Sequence, residues 1–480
     1  MKRTVLLILC AALLCSTMSC GETAPETADT TAAAAEDTTT VPAETELKPD
    51  LPDVNYKGAD FTILNGNTTT WMTIAKVTAE EENGEAINDA IYKRNLAVEE
   101  KYGVNIVEVP SDSARAQLLE AIAAGDKTYD IALMVMADAL TVTLENSVMD
   151  YADVPHIDTS KPWWVAGTAD RMSLGGHVYY AISQFDTTHY DGVRSFFFNK
   201  QLIEDFELDN PYQLVYDGKW TLDAMKTMGL KVAQDLNGDA KWGEGDRYGY
   251  SSYESIGAQT LCSGAGAIVS VNKDENDIPV FDMNNEHYLV RLDKITRMLS
   301  ENEGLNNPNG TNGNGGDSDP FVEGRVLFFN ETLSNIQTLR DMDQDFGILP
   351  APKYDEAQER YYNLGGNPYF MLVPITTKDV ERTGVIIEAM AYESLGRIDT
   401  AFYDIYLQGK LMRDEDSPKM LDLIFSTLDY FLPIARSTVN SGTTSRVWSG
   451  DTAFASYFAE INATVQAEID AVKTFLAGQK

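Results

Sequence analysis

Apolar and polar positions alternate along the chain with two periods, and the switches between them divide the body into elements. Residues 60–64 (DFTIL) read as a strand. Residues 84–102 read as a helix with Ile87, Ala90, Ile91, Val98 and Tyr102 on one face, and Gly103 stands where a helix-ending C′ glycine belongs. A strand at 104–109, a helix at 114–124 and a strand at 129–136 follow. Strand, helix, strand, helix, strand predicts a parallel sheet with crossover helices. The same grammar returns later, with strands at 178–182, 193–198, 325–329, 346–349 and 370–373, and a helix at 222–234 capped by Thr221. The last hundred residues read as mainly helical. Residues 306–316 (NNPNGTNGNGG) hold no core-forming side chain and read as a surface excursion. No repeat of fixed period occurs, which argues against a solenoid or a propeller.

The first twenty residues follow a different pattern. Lys2 and Arg3 precede an apolar run at 4–14, which has the length of a signal-peptide core and is too short to span a bilayer. Ser19-Cys20-Gly21 comes next and resembles a bacterial lipobox, although Thr17 stands where that motif usually has Leu. The expectation is a lipoprotein signal peptide over 1–19 and a lipid-carrying Cys20; the alternative is an ordinary secretory signal cut nearby. Residues 20–52 are acidic and rich in Thr, Ala and Glu, so they read as a flexible tether. No later stretch approaches the length of a membrane-spanning helix. The predicted location is the outer face of the cell membrane, lipid-anchored.

Composition narrows the classes of function. The 480 residues carry 37 Lys+Arg against 74 Asp+Glu, a formal net charge of −37, which argues against nucleic acid as a partner. The four His make a multi-histidine zinc centre an unpromising reading. Of four Cys, three (Cys10, Cys15, Cys20) lie in the leader. Cys262 remains, set among apolar and small residues, and reads as a buried structural thiol.

Several patterns in order carry a family resemblance. They are Asn88-Asp89-Ala90-Ile91-Tyr92 with Arg94-Asn95, running into Glu99-Glu100-Lys101-Tyr102-Gly103; Tyr129-Asp130-Ile131; Lys161-Pro162-Trp163-Trp164; Phe196-Phe197-Phe198-Asn199-Lys200; Gly218-Lys219-Trp220-Thr221; Gly324-Arg325-Val326-Leu327-Phe328; and Gly347-Ile348-Leu349-Pro350-Ala351-Pro352-Lys353. In this order they resemble the extracellular solute-binding lipoproteins of bacterial ABC importers, the carbohydrate-directed, maltose-binding-protein-like group. The resemblance implies an α/β fold of two lobes (periplasmic-binding-protein-like, type II). Each lobe would be a mixed, mainly parallel sheet flanked by helices, with the ligand cleft between them. It implies lobe one at 53–185 plus 354–395 and lobe two at 186–352 plus 396–480. It also implies a monomer that captures a sugar or oligosaccharide by hinge closure and delivers it to importer permease subunits, without catalysis.

Sugar recognition needs flat apolar rings and planar polar groups. The candidates are Trp71 in the loop after the first strand, Trp163 and Trp164, and Asp186 and Tyr190 at the predicted crossover. Asn330 and Glu331 follow the strand at 325–329, Asn367 and Tyr369 come just after Gly365-Gly366, and Trp448 sits in a Ser/Thr/Gly-rich segment. Each Trp also has an ordinary reading as a core residue with a satisfied N–H. The sharpest local motif is at 235–246. Asp235, Asn237, Asp239 and Asp246 fall at positions 1, 3, 5 and 12 of a calcium loop, and the Lys241 carbonyl falls at position 7. Ala240 and Asp246 depart from the usual Gly and Glu. A structural Ca²⁺, not needed for activity, is the expectation; a loop closed by its own Asx turns is the alternative. Two other functions compete. A glycoside hydrolase would need a carboxylate pair that the sequence does not single out. A surface-anchored receptor or adhesion protein on the same fold is the other.

Overall fold

The computed structural model describes residues 47–66, 75–267, 269–307, 320–407 and 414–479. The signal, Cys20, Trp71 and most of the Asn/Gly segment lie outside the described residues. In chain order the strands are β1 (Ala59–Gly66), β2 (Val104–Ser111), β3 (Ile131–Val135), β4 (Arg194–Asn199), β5 (Tyr248–Ser252), the short β6 (Asn272–Lys273) and β7 (Pro279–Val280), β8 (Val326–Thr332), β9 (Phe346–Leu349), the short β10 (Asn363–Leu364), β11 (Tyr369–Leu372) and the short β12 (Leu428–Asp429).

Two four-stranded sheets organise the body. The first has the order β11-β3-β1-β2, with β1 parallel to β2 and β3, and β11 antiparallel to β3. The second has the order β5-β8-β4-β9, where β5 and β8 are parallel and β4 runs antiparallel to both β8 and β9. The mainly parallel expectation therefore describes the first sheet, whereas the second is turned by its central strand. The segment predicted as a strand at 178–182 makes only an isolated bridge, Ala181 to Met371. It lies across β11 without a ladder.

Alternation along the strands builds two cores, as the period of two requires. Phe61 and Ile63 face one core with Ile131 and Leu133, while Leu64 faces the other with Ala132 and Met134. The first core is closed by the helix Val380–Ser394 through Val385, Ile386 and Met390. The second continues through the other sheet and into the helix Phe454–Gly478. That last helix runs back to the first sheet's side, where Phe475 meets Tyr179 edge-on at 5.2 Å.

Local sequence accounts for the helix ends. The Glu85 carboxylate accepts the N–H groups of Ile87 and Asn88 at the start of Ala86–Tyr102, and Gly103 ends it at φ 62°. Thr221 Oγ1 accepts the Ala224 N–H at 3.2 Å and starts Leu222–Val232. Cys262 is fully buried, and burial pushes its thiol up to about 12.

Gly384 lets the helix Val380–Ser394 meet the 155 region backbone to backbone, since a methyl there would run into the Pro155 carbonyl. We expect Gly384→Ala to lower stability by ~1–3 kcal/mol through overpacking. A urea unfolding midpoint unchanged from the parent would disprove this account of the packing.

Candidate functional site

The topology brings strand ends together. The chain leaves the first sheet's layer near Phe185 and enters the second at Arg194, which lies opposite Thr332, the last residue of β8. It returns through residues 365–368 to Tyr369, opposite Val135, the last residue of β3. β5 runs parallel to β8 and also ends here, with Ser252 beside Asn330. Both crossings thus sit at the carboxyl ends of parallel strands, the place where open α/β sheets bind ligands. The crossings touch at Gly192 and Gly366, where a side chain on either would collide with the other's backbone. The Tyr369 N–H donates to Thr188 Oγ1 at 3.1 Å and links the two again.

A buried arginine fixes the first crossing. Arg94 Nη1 donates to the Phe185 carbonyl, Nη2 to the Val77 carbonyl and Nε to Asn95 Oδ1, each at 2.7 Å. Its guanidinium lies 4.7 Å from the centre of the Phe185 ring. Burial pulls Arg94 down to about 9, against the opposing pull of Asp186 and Glu108. Asn95 donates to the same Val77 carbonyl, and Asn65 Nδ2 donates to the Ala75 carbonyl and to Glu108. The segment following the carboxyl end of β1 is therefore tied to the crossing. Asp186 Oδ1 accepts from the backbone and hydroxyl of Thr188, and burial raises its carboxyl to about 6 despite those bonds.

The carboxyl end of the second sheet is a buried polar surface. Arg194 Nη1 donates to Gln259 Oε1; Gln259 Nε2 donates to Asn440 Oδ1 at 2.7 Å. Asn330 Nδ2 donates to the Ser195 carbonyl, and the Ser252 hydroxyl donates to the Asn330 carbonyl, both at 2.8 Å. Glu331 accepts the Thr332 N–H at 2.8 Å. Buried atoms at this end lack a protein partner among the described residues: Arg194 Nε, Ser195 Oγ, Ser251 Oγ and the Tyr250 hydroxyl; the Tyr369 hydroxyl, at the carboxyl end of β3 in the first sheet, lacks one too. Buried polar atoms are normally paired, so such a concentration marks a place for water or ligand. A side chain on Gly257 would meet both the Tyr250 hydroxyl and the Trp448 ring, which puts half-buried Trp448 at this edge.

The predicted residues divide accordingly. Asp186, Tyr190, Asn330, Glu331, Asn367 and Tyr369 lie on or beside the crossings, although Asn330 spends its amide inside the sheet. Trp163 is a correction: it is 0% exposed, with its N–H donated to Glu388 Oε1 at 2.7 Å and its ring edge-on to Tyr392. Trp164 donates to the other Glu388 oxygen at 3.0 Å, but one edge lines a half-open cavity of about 460 Å³ beside the crossing. Gln184, His189, Tyr190 and Phe425 also line it, and Tyr190 stacks on Phe402 at 4.5 Å. Burial lowers the His189 imidazole to about 3, so it is neutral. Sequence reasoning missed Arg94, Arg194, Gln259, His189 and Asn440. The Arg94-Asn95 pair was visible as a motif, but its partners lie far along the chain.

The loop at 235–246 closes on itself. Asp235 accepts the N–H groups of Gly238 and Ala240, Asn237 that of Asp239, and Asp239 that of Lys241. Buried Asp246 accepts from Leu236 and Gly243. Gly238 and Ala240 take left-handed conformations. Each bonded carboxylate oxygen keeps a second lone pair, so the donor set still suits a hard cation. Among the described residues, no three His, Cys, Asp or Glu side chains are grouped to hold a metal. No described helix is long and apolar enough to cross a membrane.

Two sheets joined by paired crossings, with polar strand ends facing them, define a two-lobe binding-protein fold with its cleft between the lobes. The chain belongs to the bacterial extracellular solute-binding protein family, whose profile matches residues 78–390. Solved structures share the fold at low identity. UspC of Mycobacterium tuberculosis is 13% identical at a TM-score of 0.57, over 85% of this chain and 100% of that one. The apo form of RafE from Streptococcus pneumoniae is 14% identical at 0.53, over 87% and 97%. An ABC substrate-binding protein of Listeria monocytogenes, solved in complex with cycloalternan, is 13% identical at 0.51, over 88% and 99%. A search of curated proteins finds no match.

We expect Arg94→Leu to cost ~3–5 kcal/mol, because it leaves the Phe185 and Val77 carbonyls buried and unpaired. Denaturant unfolding measures the loss, and a loss under ~1 kcal/mol would show that Arg94 does not hold the crossing.

Proposed function

We propose that this protein captures a carbohydrate between its lobes and hands it to an ABC importer, without catalysis. The observation that carries the reading is the concentration of unpartnered buried hydroxyl and guanidinium atoms where both sheets present their carboxyl ends, with Trp448 at the edge. Hydroxyl-rich ligands supply donors and acceptors to such atoms, and a ring such as Trp448 covers a sugar's C–H face. Fold relatives solved with cycloalternan, mannotriose and maltotetraose support the ligand class. In this reading residues 53–185 plus 354–395 and 186–352 plus 396–480 are the two lobes, the ligand favours the closed arrangement, and the protein works as a monomer. Cys20 carries the lipid, the tether at 20–52 holds the body at the outer membrane face, and the permease subunits are the partners. Thermal unfolding and Trp fluorescence across a saccharide panel test it. One saccharide is expected to raise the melting temperature by several degrees and to change fluorescence reversibly, since a ligand at a hundredfold its Kd stabilises by ~2.7 kcal/mol. No response to any saccharide, or turnover of chromogenic glycosides, would overturn it.

We also infer that the loop at 235–246 takes a structural Ca²⁺. Support lies in its spacing and its left-handed residues at Gly238 and Ala240. Ca²⁺ is expected to raise the melting temperature over an EDTA control, and Asp235→Ala to abolish that rise; equal melting with and without Ca²⁺ would sink the idea.

A further inference from the structure

Elsewhere among the described residues, buried and half-buried arginines face carboxylates or several carbonyls, even where an Nε, as in Arg382 and Arg446, stays unbonded. Arg382 forms an ion pair with Asp130, both largely buried, and Arg94 meets two carbonyls and an amide oxygen at 2.7 Å. Arg171 faces Asp429, and Arg446 faces Asp451. The carboxyl end of the second sheet differs in that Arg194 makes no ion pair with a described residue. Arg194 is 8% exposed, bonds one neutral amide and leaves Nε without a partner.

Arg436 lies at the same end. It opens the helical run that carries Asn440 one turn later, and Asn440 is bonded to Gln259, which is bonded to Arg194. The turn at Ser437–Ser441 is π-helical, a distortion that recurs at binding sites. Arg436 is half-buried, and its side chain makes no hydrogen bond or ion pair within the described residues. Burial lowers both guanidinium groups below their usual range, and the Arg436 charge adds to the lowering at Arg194. Glu331 is the acidic group that acts on Arg194. Glu331 offsets part of the charge at Arg194, but two cations in one partly desolvated place leave room for a further anion to stabilise them. The chain holds 74 acidic residues against 37 basic ones, so a scarcity of carboxylates does not explain why Arg436 has none beside it among the described residues.

We propose that the cleft is selective for an acidic saccharide, whose carboxylate or sulfate ester seats between Arg194 and Arg436 while its hydroxyls meet the neighbouring polar atoms. This rests on the carbohydrate reading and narrows it. A guanidinium fork matches the two oxygens of either anion, and the pairing is strongest where water is excluded. Gln259, itself held by Asn440, fixes Arg194 through Nη1, and Nε is left without a protein partner.

Titration calorimetry on the full chain decides the matter, with uronate-containing oligosaccharides, sulfated oligosaccharides and their neutral counterparts as probes. Acidic probes are expected to bind, the uronate and sulfate arms showing which anion is taken. Arg436→Gln is expected to weaken acidic probes by at least about tenfold and neutral ones by less than about twofold. Arg194→Gln should act likewise; if it fails to fold by circular dichroism, Arg436→Gln alone is decisive. Neutral probes that bind as tightly as acidic ones, with Arg436→Gln unchanged, would overturn the proposal and leave the carbohydrate reading standing. Binding of no saccharide, acidic or neutral, would overturn both.

Discussion

The fold depends on one buried cation. Arg94 reads the carbonyls of Val77 and Phe185 with a single planar group and so joins three pieces of chain: the helix Ala86–Tyr102, the segment after β1 and the start of the first crossing. A carboxylate partner would have neutralised the charge but fixed only another side chain. Carbonyl partners fix the main chain, which is what a crossing between lobes requires. The desolvation that this entails is offset by three short bonds and by the Phe185 ring beneath the guanidinium. With Phe185 immobilised, the backbone freedom needed for lobe movement is left to the residues beyond it.

Those residues are built for close contact. Gly192 and Gly366 allow the outgoing and returning segments to touch, and Thr188 joins them by accepting from Tyr369 while it donates to Asp186. In the proposed closure, a pair of touching segments serves as an axis, because small changes of φ and ψ at two adjacent points rotate everything beyond them. The same contact places the strand ends of both sheets around one space. Fold and site are therefore consequences of a single arrangement: antiparallel β4 brings the chain into the second sheet at its carboxyl edge.

Much of this arrangement could be read from the chain. Alternation located β1 and β2, and short apolar runs located β3, β4, β8, β9 and β11, because strands buried on both faces need no polar side. The same reading failed at 178–182, an apolar run that packs into both cores but meets β11 only by a single bridge. Placement at the crossing was legible where position alone sufficed, as for the candidates Asp186 and Tyr190. They were not where identity depends on distant partners. Trp163 suggested a cleft ring because its N–H acceptor, Glu388, lies 225 residues away. Arg94 stood in a helix among surface-like polar neighbours, and nothing local told that it points inward. Arg194 looked like a polar residue opening an apolar strand.

Net charge acts on the cleft differently from short-range contacts. A surface at −37 repels anions at long range, but ions screen this within ~8 Å at physiological ionic strength. The arginines at the carboxyl end of the second sheet act inside that distance, where little solvent intervenes. An acidic outside and the proposed cationic site are thus compatible, and in that proposal they divide the work: the exterior slows approach of every anion alike, while the site holds those that also satisfy Ser195, Ser251, Tyr250 and Tyr369. Selectivity of this kind comes from requiring charge and hydroxyl pairing at once. A small inorganic anion meets the first condition without the second, and a neutral sugar the reverse.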